Sequence, residues 1–116
     1  MEFDSNRPIY LQIMDAFCNR ILSGELQEED RVPSVREYGA GIGVNPNTVA
    51  RSYEKLTDLG VIDNKRGIGY YVAAGAREAI LADARRRFLE EELPAVAEKA
   101  RLLGLAGSEI KKHFDF

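Results

Sequence analysis

The residues best suited to chemistry stand in one short run, Asn45-Pro46-Asn47-Thr48, with Arg51 and Lys55 following at one-turn intervals. Short amides can pair with base edges, and a guanidinium one turn further on can reach a guanine or a phosphate. Upstream, Pro33-Ser34-Val35-Arg36 reads as the open start of a helix, where backbone amides near Ser34 suit a phosphate oxygen and Arg36 adds a cation. Downstream, Lys65 and Arg66 are followed by Gly67 with no bulky side chain, which suits contact with a nucleic-acid backbone or a minor groove. Together these residues point to recognition of double-stranded DNA. Each also has a plainer reading. Asn45 and Pro46 make a good cap and first helical residue. Arg36 could be a solvated helix residue or half of an internal ion pair, and Lys65-Arg66 an ordinary hairpin tip.

Catalysis finds no residues to stand on. His113 is the sole histidine and Cys18 the sole cysteine, so a zinc-like cluster cannot be assembled. There is no glycine-rich phosphate loop and no G-x-S-x-G elbow. The expectation is a protein that is not an enzyme and carries no cofactor or metal. Cys18, set among apolar residues, reads as a small buried hydrophobe, and a disulfide within one chain is excluded. No apolar run approaches the roughly 20 residues of a membrane span. Met1-Glu2-Phe3-Asp4 lacks the cationic and apolar regions of a signal peptide. A cytoplasmic protein without membrane partners is expected.

The elements that must position these groups follow from periodicity. A length of 116 residues suits one compact domain with a modest appendage. Ile9, Ile13, Phe17 and Ile21 recur every four residues, which predicts a helix over Pro8 to Ser23 with a broad buried face. Ser34 and Glu37 have the spacing of a capping box, opening a short second helix. That helix is loaded with Gly39, Gly41 and Gly43, each interior glycine costing roughly 1 kcal/mol against alanine, so a neighbour must hold it. A third helix is predicted from Pro46 to about Leu59. Val49, Tyr53, Leu56 and Leu59 lie on its apolar back, and Asn47, Arg51, Lys55 and Asp58 on its polar front. Val61-Ile62-Asp63 and Gly69-Tyr70-Tyr71-Val72 read as two strands joined by the tip Asn64-Lys65-Arg66-Gly67. Tyr10, Tyr53 and Tyr70 are expected in the core or strands rather than as stacking platforms.

Ala73 to Ala76 is a small-residue hinge that divides the chain into domains 1–75 and 76–116. Beyond it a helical stripe runs through Ile80, Ala84, Phe88, Leu93, Val96 and Leu103. Pro94 should kink or divide it. Gly104 should end it, with a last short helix over Ser108 to Phe116. Arg85-Arg86-Arg87 precedes Glu90-Glu91-Glu92 by one turn, which favours pairing along a solvated face over a second phosphate site.

The net charge is −3 and the isoelectric point about 5.2, which by itself argues against a nucleic-acid partner. The distribution argues otherwise. Met1 to Asp30 carries seven acidic and two basic residues, Arg31 to Val72 six basic and four acidic, and Ala73 to Phe116 eight of each. The cationic stretch coincides with the residues named above.

The order helix, helix, turn, helix, hairpin is that of a winged helix-turn-helix. The segments Pro8-Ile9-Tyr10-Leu11-Gln12-Ile13, Pro33-Ser34-Val35-Arg36-Glu37, Gly43-Val44-Asn45-Pro46-Asn47-Thr48-Val49 and Arg66-Gly67-Ile68-Gly69-Tyr70-Tyr71-Val72 resemble the GntR transcription regulators. The Asn-Pro-Asn-Thr-Val run and the short helical tail resemble the YtrA-type branch, whose tail of two helices dimerises. The resemblance implies a mostly α fold with a small β-hairpin, followed by a short helical dimerisation tail. It implies a DNA-binding repressor that acts as a homodimer on an inverted-repeat operator. It places Ser34, Arg36, Asn45, Asn47, Thr48, Arg51, Arg66 and Gly67 at the DNA, and the pattern around them adds Pro46, Lys55 and Lys65. Ile80, Ala84, Phe88, Leu93, Val96 and Leu103 are the expected dimer seam. Tyr38-Gly39 stands where the family usually has Leu-Ala, and Ala106-Gly107 replaces the usual serine-type cap of the last helix. The residues after the hinge are too few for the large effector domains of other branches. Two rival readings remain. One is a winged-helix module that binds a protein, which the acidic isoelectric point favours. The other adds a small-molecule effector site between tail and winged domain.

Overall fold

The computed structural model describes every residue from Met1 to Phe116. The first helix, α1 (Ile9–Leu22), begins at Pro8, whose carbonyl accepts from the Leu11 and Gln12 amides. Ile13, Phe17 and Ile21 form its buried face, as the four-residue spacing predicts. Ile9 differs: it is 40% exposed and lines a surface cleft described below.

Helix α2 (Val35–Ile42) carries the predicted capping box. The Glu37 amide donates to Ser34 Oγ at 3.1 Å, and the Ser34 amide donates to Glu37 Oε1 at 3.4 Å. These two bonds satisfy donors that a helix start would otherwise leave open. Gly39 is buried, and a Cβ there would lie 2.7 Å from the Val44 carbonyl oxygen. The glycine that looked costly in the sequence is thus where α2 meets the turn most closely. Gly43, at φ +69, ends the helix in the left-handed region.

Helix α3 (Pro46–Asp58) starts at Asn45, whose Oδ1 accepts from the Asn47 amide at 2.8 Å. It buries Val49, Ser52, Tyr53 and Leu56. Leu59, expected on that apolar back, is 37% exposed, since the helix has already ended at Asp58. Two contacts tie α3 to its neighbours. Ser52 Oγ donates to the Tyr10 carbonyl at 2.8 Å, and Tyr53 Oη donates to the Pro33 carbonyl at 2.7 Å. The second bond fixes the residue just before the Ser34 cap, so one buried phenol links α3 to the start of α2.

Strands β2 (Ile62–Lys65) and β3 (Gly69–Val72) form the expected hairpin. Its turn is Arg66-Gly67-Ile68, which starts two residues later than the expected tip and ends one later, because Asn64 and Lys65 pair with Tyr70 and Gly69. A third strand, β1 (Arg31–Val32), was not expected. It pairs antiparallel with β3, giving the order β1-β3-β2. Two residues are too short to show an alternating pattern. Glu29 and Asp30 continue this edge through bonds with Val72, and Glu29 adopts φ +70, the sole positive φ outside glycine.

An aromatic cluster closes the core. Phe17 meets Tyr38 at 4.9 Å and Tyr53 edge-on at 5.6 Å, and Tyr53 meets Tyr70 edge-on at 4.9 Å. Helices α1, α2 and α3 and the sheet each contribute to it, and such pairs add about 0.5–1.5 kcal/mol each beyond area burial.

Helix α4 (Ala76–Arg87) follows the sheet. Compactness divides the chain after Leu81, and not at the 75/76 boundary expected from composition. The reason is burial: Ala76 and Ile80 are 0% and 6% exposed and belong to the core of the first unit. Ile80, assigned above to the dimer seam, is therefore a core residue of the winged unit.

The second unit, Ala82–Phe116, contains the rest of α4, a π-helical turn (Phe88–Glu92), α5 (Leu93–Leu102), α6 (Gly107–Lys111) and a final 3-10 turn (Lys112–Phe114). The division expected at Pro94 falls just before it: the Leu93 amide donates to the Phe88 carbonyl, five residues back. Gly104, at φ +69, ends the helical run. The Ala106 amide donates to Glu109 Oε1 at 3.0 Å, so the glutamate supplies half a capping box where Ala106 has no acceptor. Arg86 pairs with Asp83 and Glu90 and Arg87 with Asp83, the solvated pairing the sequence suggested. No helix is long and apolar enough to cross a membrane.

Candidate nucleic-acid interface

Helix α3 presents its front as expected. Asn45, Pro46, Asn47, Arg51 and Lys55 are exposed and Thr48 is half-buried. Asn45 Oδ1 is committed to capping α3, which leaves its amide NH2 as the group free to meet a ligand. Ser34 Oγ likewise accepts from Glu37 and keeps its hydroxyl proton for donation. Both residues therefore serve the helix start and still offer a donor.

The structure gathers part of this set around a residue absent from it. The Arg51 guanidinium lies 3.9 Å from the centroid of the Tyr10 ring, and Lys55 Nζ lies 6.0 Å from the same ring. Ile9, Tyr10, Asn47, Thr48 and Arg51 line one open cleft between the start of α1 and the start of α3. Tyr10 was expected in the core. It is half-buried, with one ring face under the guanidinium. The signal available in sequence was weak: an aromatic in the first turn of a helix whose buried stripe runs through other positions.

The cations differ in their commitments. Arg36, in the first turn of α2, and Arg66, at the hairpin turn, are exposed and have no carboxylate within ion-pair distance. Gly67 beside Arg66 adopts φ +78, a region a side chain would resist. Lys65 is not at the tip. As the last residue of β2 it lies over the Tyr71 ring, 4.5 Å from the centroid, and donates to Glu29 Oε2 at 2.9 Å. That hydrogen bond, reinforced by the Glu29 charge, holds the ammonium above the usual lysine range. Lys65 is thus held by an intramolecular partner that the sequence did not reveal. The two residues stand far apart in the chain and meet only across the sheet.

Behind the front, burial raises the Tyr53 phenol well above the usual tyrosine range, with Tyr38, Tyr70 and Glu37 adding to the effect. Burial also raises Tyr38, partly offset by Arg20. Both phenols are neutral scaffold groups at ordinary pH.

The apolar residues of the second unit line a groove and also leave large groups exposed, Val96 doing both. Leu93, Val96, Ala97 and Ala100 of α5, with Leu105, Ile110 and Phe114, line an apolar groove of about 460 Å³. Phe88, Leu89, Val96, Leu102 and Leu103 are 46%, 62%, 49%, 79% and 64% exposed. Ala84 and Leu93 are half-buried.

Residues 9–72 match the model of the gntR family of bacterial regulatory proteins. The chain is 36% identical over 94% of its length to the HTH-type transcriptional regulator YhcF of Bacillus subtilis, covering 88% of that protein. It is 34% identical over 93% of its length to the HTH-type transcriptional repressor YtrA of the same organism, covering 80% of it. Among solved structures, a GntR-family transcriptional regulator from Bacteroides thetaiotaomicron superposes with a TM-score of 0.74 at 47% identity, over 91% of this chain and 92% of that one. The fold is accordingly a winged helix-turn-helix followed by a helical segment. With the family model matching residues 9–72, which span α1, α2, α3 and the hairpin, the chain is a DNA-binding transcriptional regulator that belongs to the GntR family.

Proposed function

We propose that the protein is a repressor that acts as a homodimer on an inverted-repeat operator in the cytoplasm. The observation that carries the reading is the pattern of uncommitted cations. Arg7, Arg20, Arg86, Arg87 and Arg101 pair with carboxylates, whereas Arg31, Arg36, Arg51, Arg66, Arg77 and Arg85 do not. Of these six, Arg36, Arg51 and Arg66 sit at the start of α2, the front of α3 and the turn of the wing. Arg51 and Asn47 read base edges in the major groove. Arg36, Ser34 and Lys55 hold phosphates, and Arg66 beside Gly67 reaches the backbone or the minor groove. The dimer reading rests on Phe88, Val96 and Leu103, large apolar groups left exposed, with Ala84 and Leu93 beside them. A monomer seldom leaves so many uncovered. The repressor reading is supported by the similarity to YtrA. Two α3 helices then read half-sites about 10 base pairs apart, or a multiple of that.

The test is fluorescence anisotropy, titrated with salt, on the DNA upstream of the protein's own gene against a scrambled duplex, with sedimentation measured in parallel. Preference for the upstream duplex, affinity falling as salt rises, and a dimeric mass are expected. Equal binding to both duplexes would overturn the operator reading. No binding at low salt would move the scaffold to protein recognition, the alternative its acidity favours.

A further inference from the structure

We infer that Tyr10 is a positioning residue for DNA reading: its ring fixes the Arg51 guanidinium on the front of α3 and thereby sets base preference. The inference rests on the reading of Arg51 as a base-reading residue and extends it to a residue outside α3. Three observations carry it. The guanidinium lies 3.9 Å from the Tyr10 centroid, close enough to stack on the ring. No carboxylate competes for Arg51, which makes neither an ion pair nor a hydrogen bond to a side chain. And the Tyr10 backbone is itself pinned, its carbonyl accepting from buried Ser52 Oγ on α3 at 2.8 Å, so ring and guanidinium are referenced to the same helix.

The physical consequence concerns entropy. A free arginine on a helix surface samples many rotamers, and ordering it on DNA carries an entropic cost. A guanidinium stacked on an aromatic face has lost part of that freedom before binding. Its five donors keep a fixed plane, and none of them is engaged by a side chain, which leaves an edge open for a bidentate pair with guanine. Stacking uses the face of the guanidinium while base reading uses its edge, so the two interactions do not compete. Lys55, 6.0 Å from the same ring, lies at the edge of stacking range and keeps its ammonium for phosphate.

The experiment selects duplexes from a random 30-base-pair pool, which needs no known operator, and measures affinity for the selected duplex. The variants are Tyr10→Phe, Tyr10→Leu, Tyr10→Gln, Arg51→Ala and Tyr10→Leu/Arg51→Ala, with thermal melts to follow folding. Tyr10→Phe should keep the wild-type motif. Tyr10→Leu and Tyr10→Gln should weaken binding about two- to fivefold, as the ordering cost of one freed side chain implies, and flatten preference at the base positions that Arg51→Ala flattens. In the Arg51→Ala background the Tyr10 change should cost nothing further. Additive losses, or a Tyr10→Phe that fails like Tyr10→Leu, would overturn the inference. An unchanged motif in both Tyr10→Leu and Tyr10→Gln, with Arg51→Ala still losing it, would overturn it and leave the reading of Arg51 standing. An unchanged motif in Arg51→Ala would overturn that reading as well.

Discussion

Replacing Tyr53 by phenylalanine removes one oxygen and leaves the ring in its aromatic cluster. The lost group is the donor of the 2.7 Å bond to the Pro33 carbonyl. A buried hydrogen bond of this kind contributes about 1 kcal/mol net, and about 1–2 if the carbonyl finds no new partner. Near pH 7, Tyr53→Phe should therefore lower the urea midpoint and the melting temperature. About 1 kcal/mol corresponds to roughly 4–8 °C for a domain of this size. The alkaline limb provides the sharper test. Burial raises the folded phenol above its ordinary range. The stability it contributes is thus fully present below the unfolded value near 10 and is lost as pH rises above it. At about pH 11 ionisation of the unfolded phenol alone favours the unfolded chain by about 1.4 kcal/mol. The gap between wild type and Tyr53→Phe should then close, although both proteins are less stable there. Urea titrations of the two proteins at pH 7 and 11 measure this directly. A gap that stayed constant across that range would refute the claim that folding keeps this proton in place. No gap at pH 7 would refute the contribution of the Pro33 bond.

Five further outcomes follow from the same geometry. Arg51→Ala should weaken binding to a preferred duplex by about 1–3 kcal/mol while the melt changes little, as competition anisotropy and calorimetry can show. Arg66→Ala should weaken preferred and scrambled duplexes alike and reduce the slope of log K against log salt by about one. Glu29→Gln should free Lys65 and tighten binding to both duplexes, with a steeper salt slope. An unchanged slope would show that Lys65 does not reach phosphate even when released. Gly41→Ala, at a helical site with nothing within 4 Å of a new Cβ, should stabilise by about 0.5–1 kcal/mol. Gly39→Val, against the Val44 carbonyl, should destabilise by about 1–3 kcal/mol in the same denaturation assay.

Much of this arrangement was legible from residue type and spacing. The capping box at Ser34 and Glu37, the Asn45 cap and the two faces of α3 are local features, determined by chemistry within one or two turns. What escaped was long-range. Strand β1 exists only because β3 offers it a partner, so Arg31-Val32 carries no pattern of its own. The Glu29–Lys65 pair joins residues on opposite sides of the sheet, and Tyr71 between them gives no sign of it in the sequence. Tyr10 reads as apolar, and only the crossing of α1 by α3 shows which face of its ring is covered. Ile80 fits the tail stripe by periodicity, yet its position next to the sheet draws it into the first core. The hinge was placed by composition, whereas the boundary follows burial.

The π-helical turn at Phe88–Glu92 acts as a phase corrector. Ala84 and Phe88 are four residues apart, Phe88 and Leu93 five, and Leu93 and Ala97 four again. In an unbroken α-helix, a step of five advances the face by about 100° more than a step of four. Leu93 would then point away from the line begun by Ala84 and Phe88. Closing the ring from Leu93 back to Phe88 absorbs the surplus residue, so that the apolar line proposed as a seam keeps its phase through both helical stretches. The three glutamates within the turn are exposed, and one of them is the surplus. Shortening the chain by one residue there would turn a π ring into an α ring and leave the seam in register. The same deletion within α5 would rotate every apolar group beyond it out of line. Length is thus negotiable at one place in this tail and nowhere else along its seam.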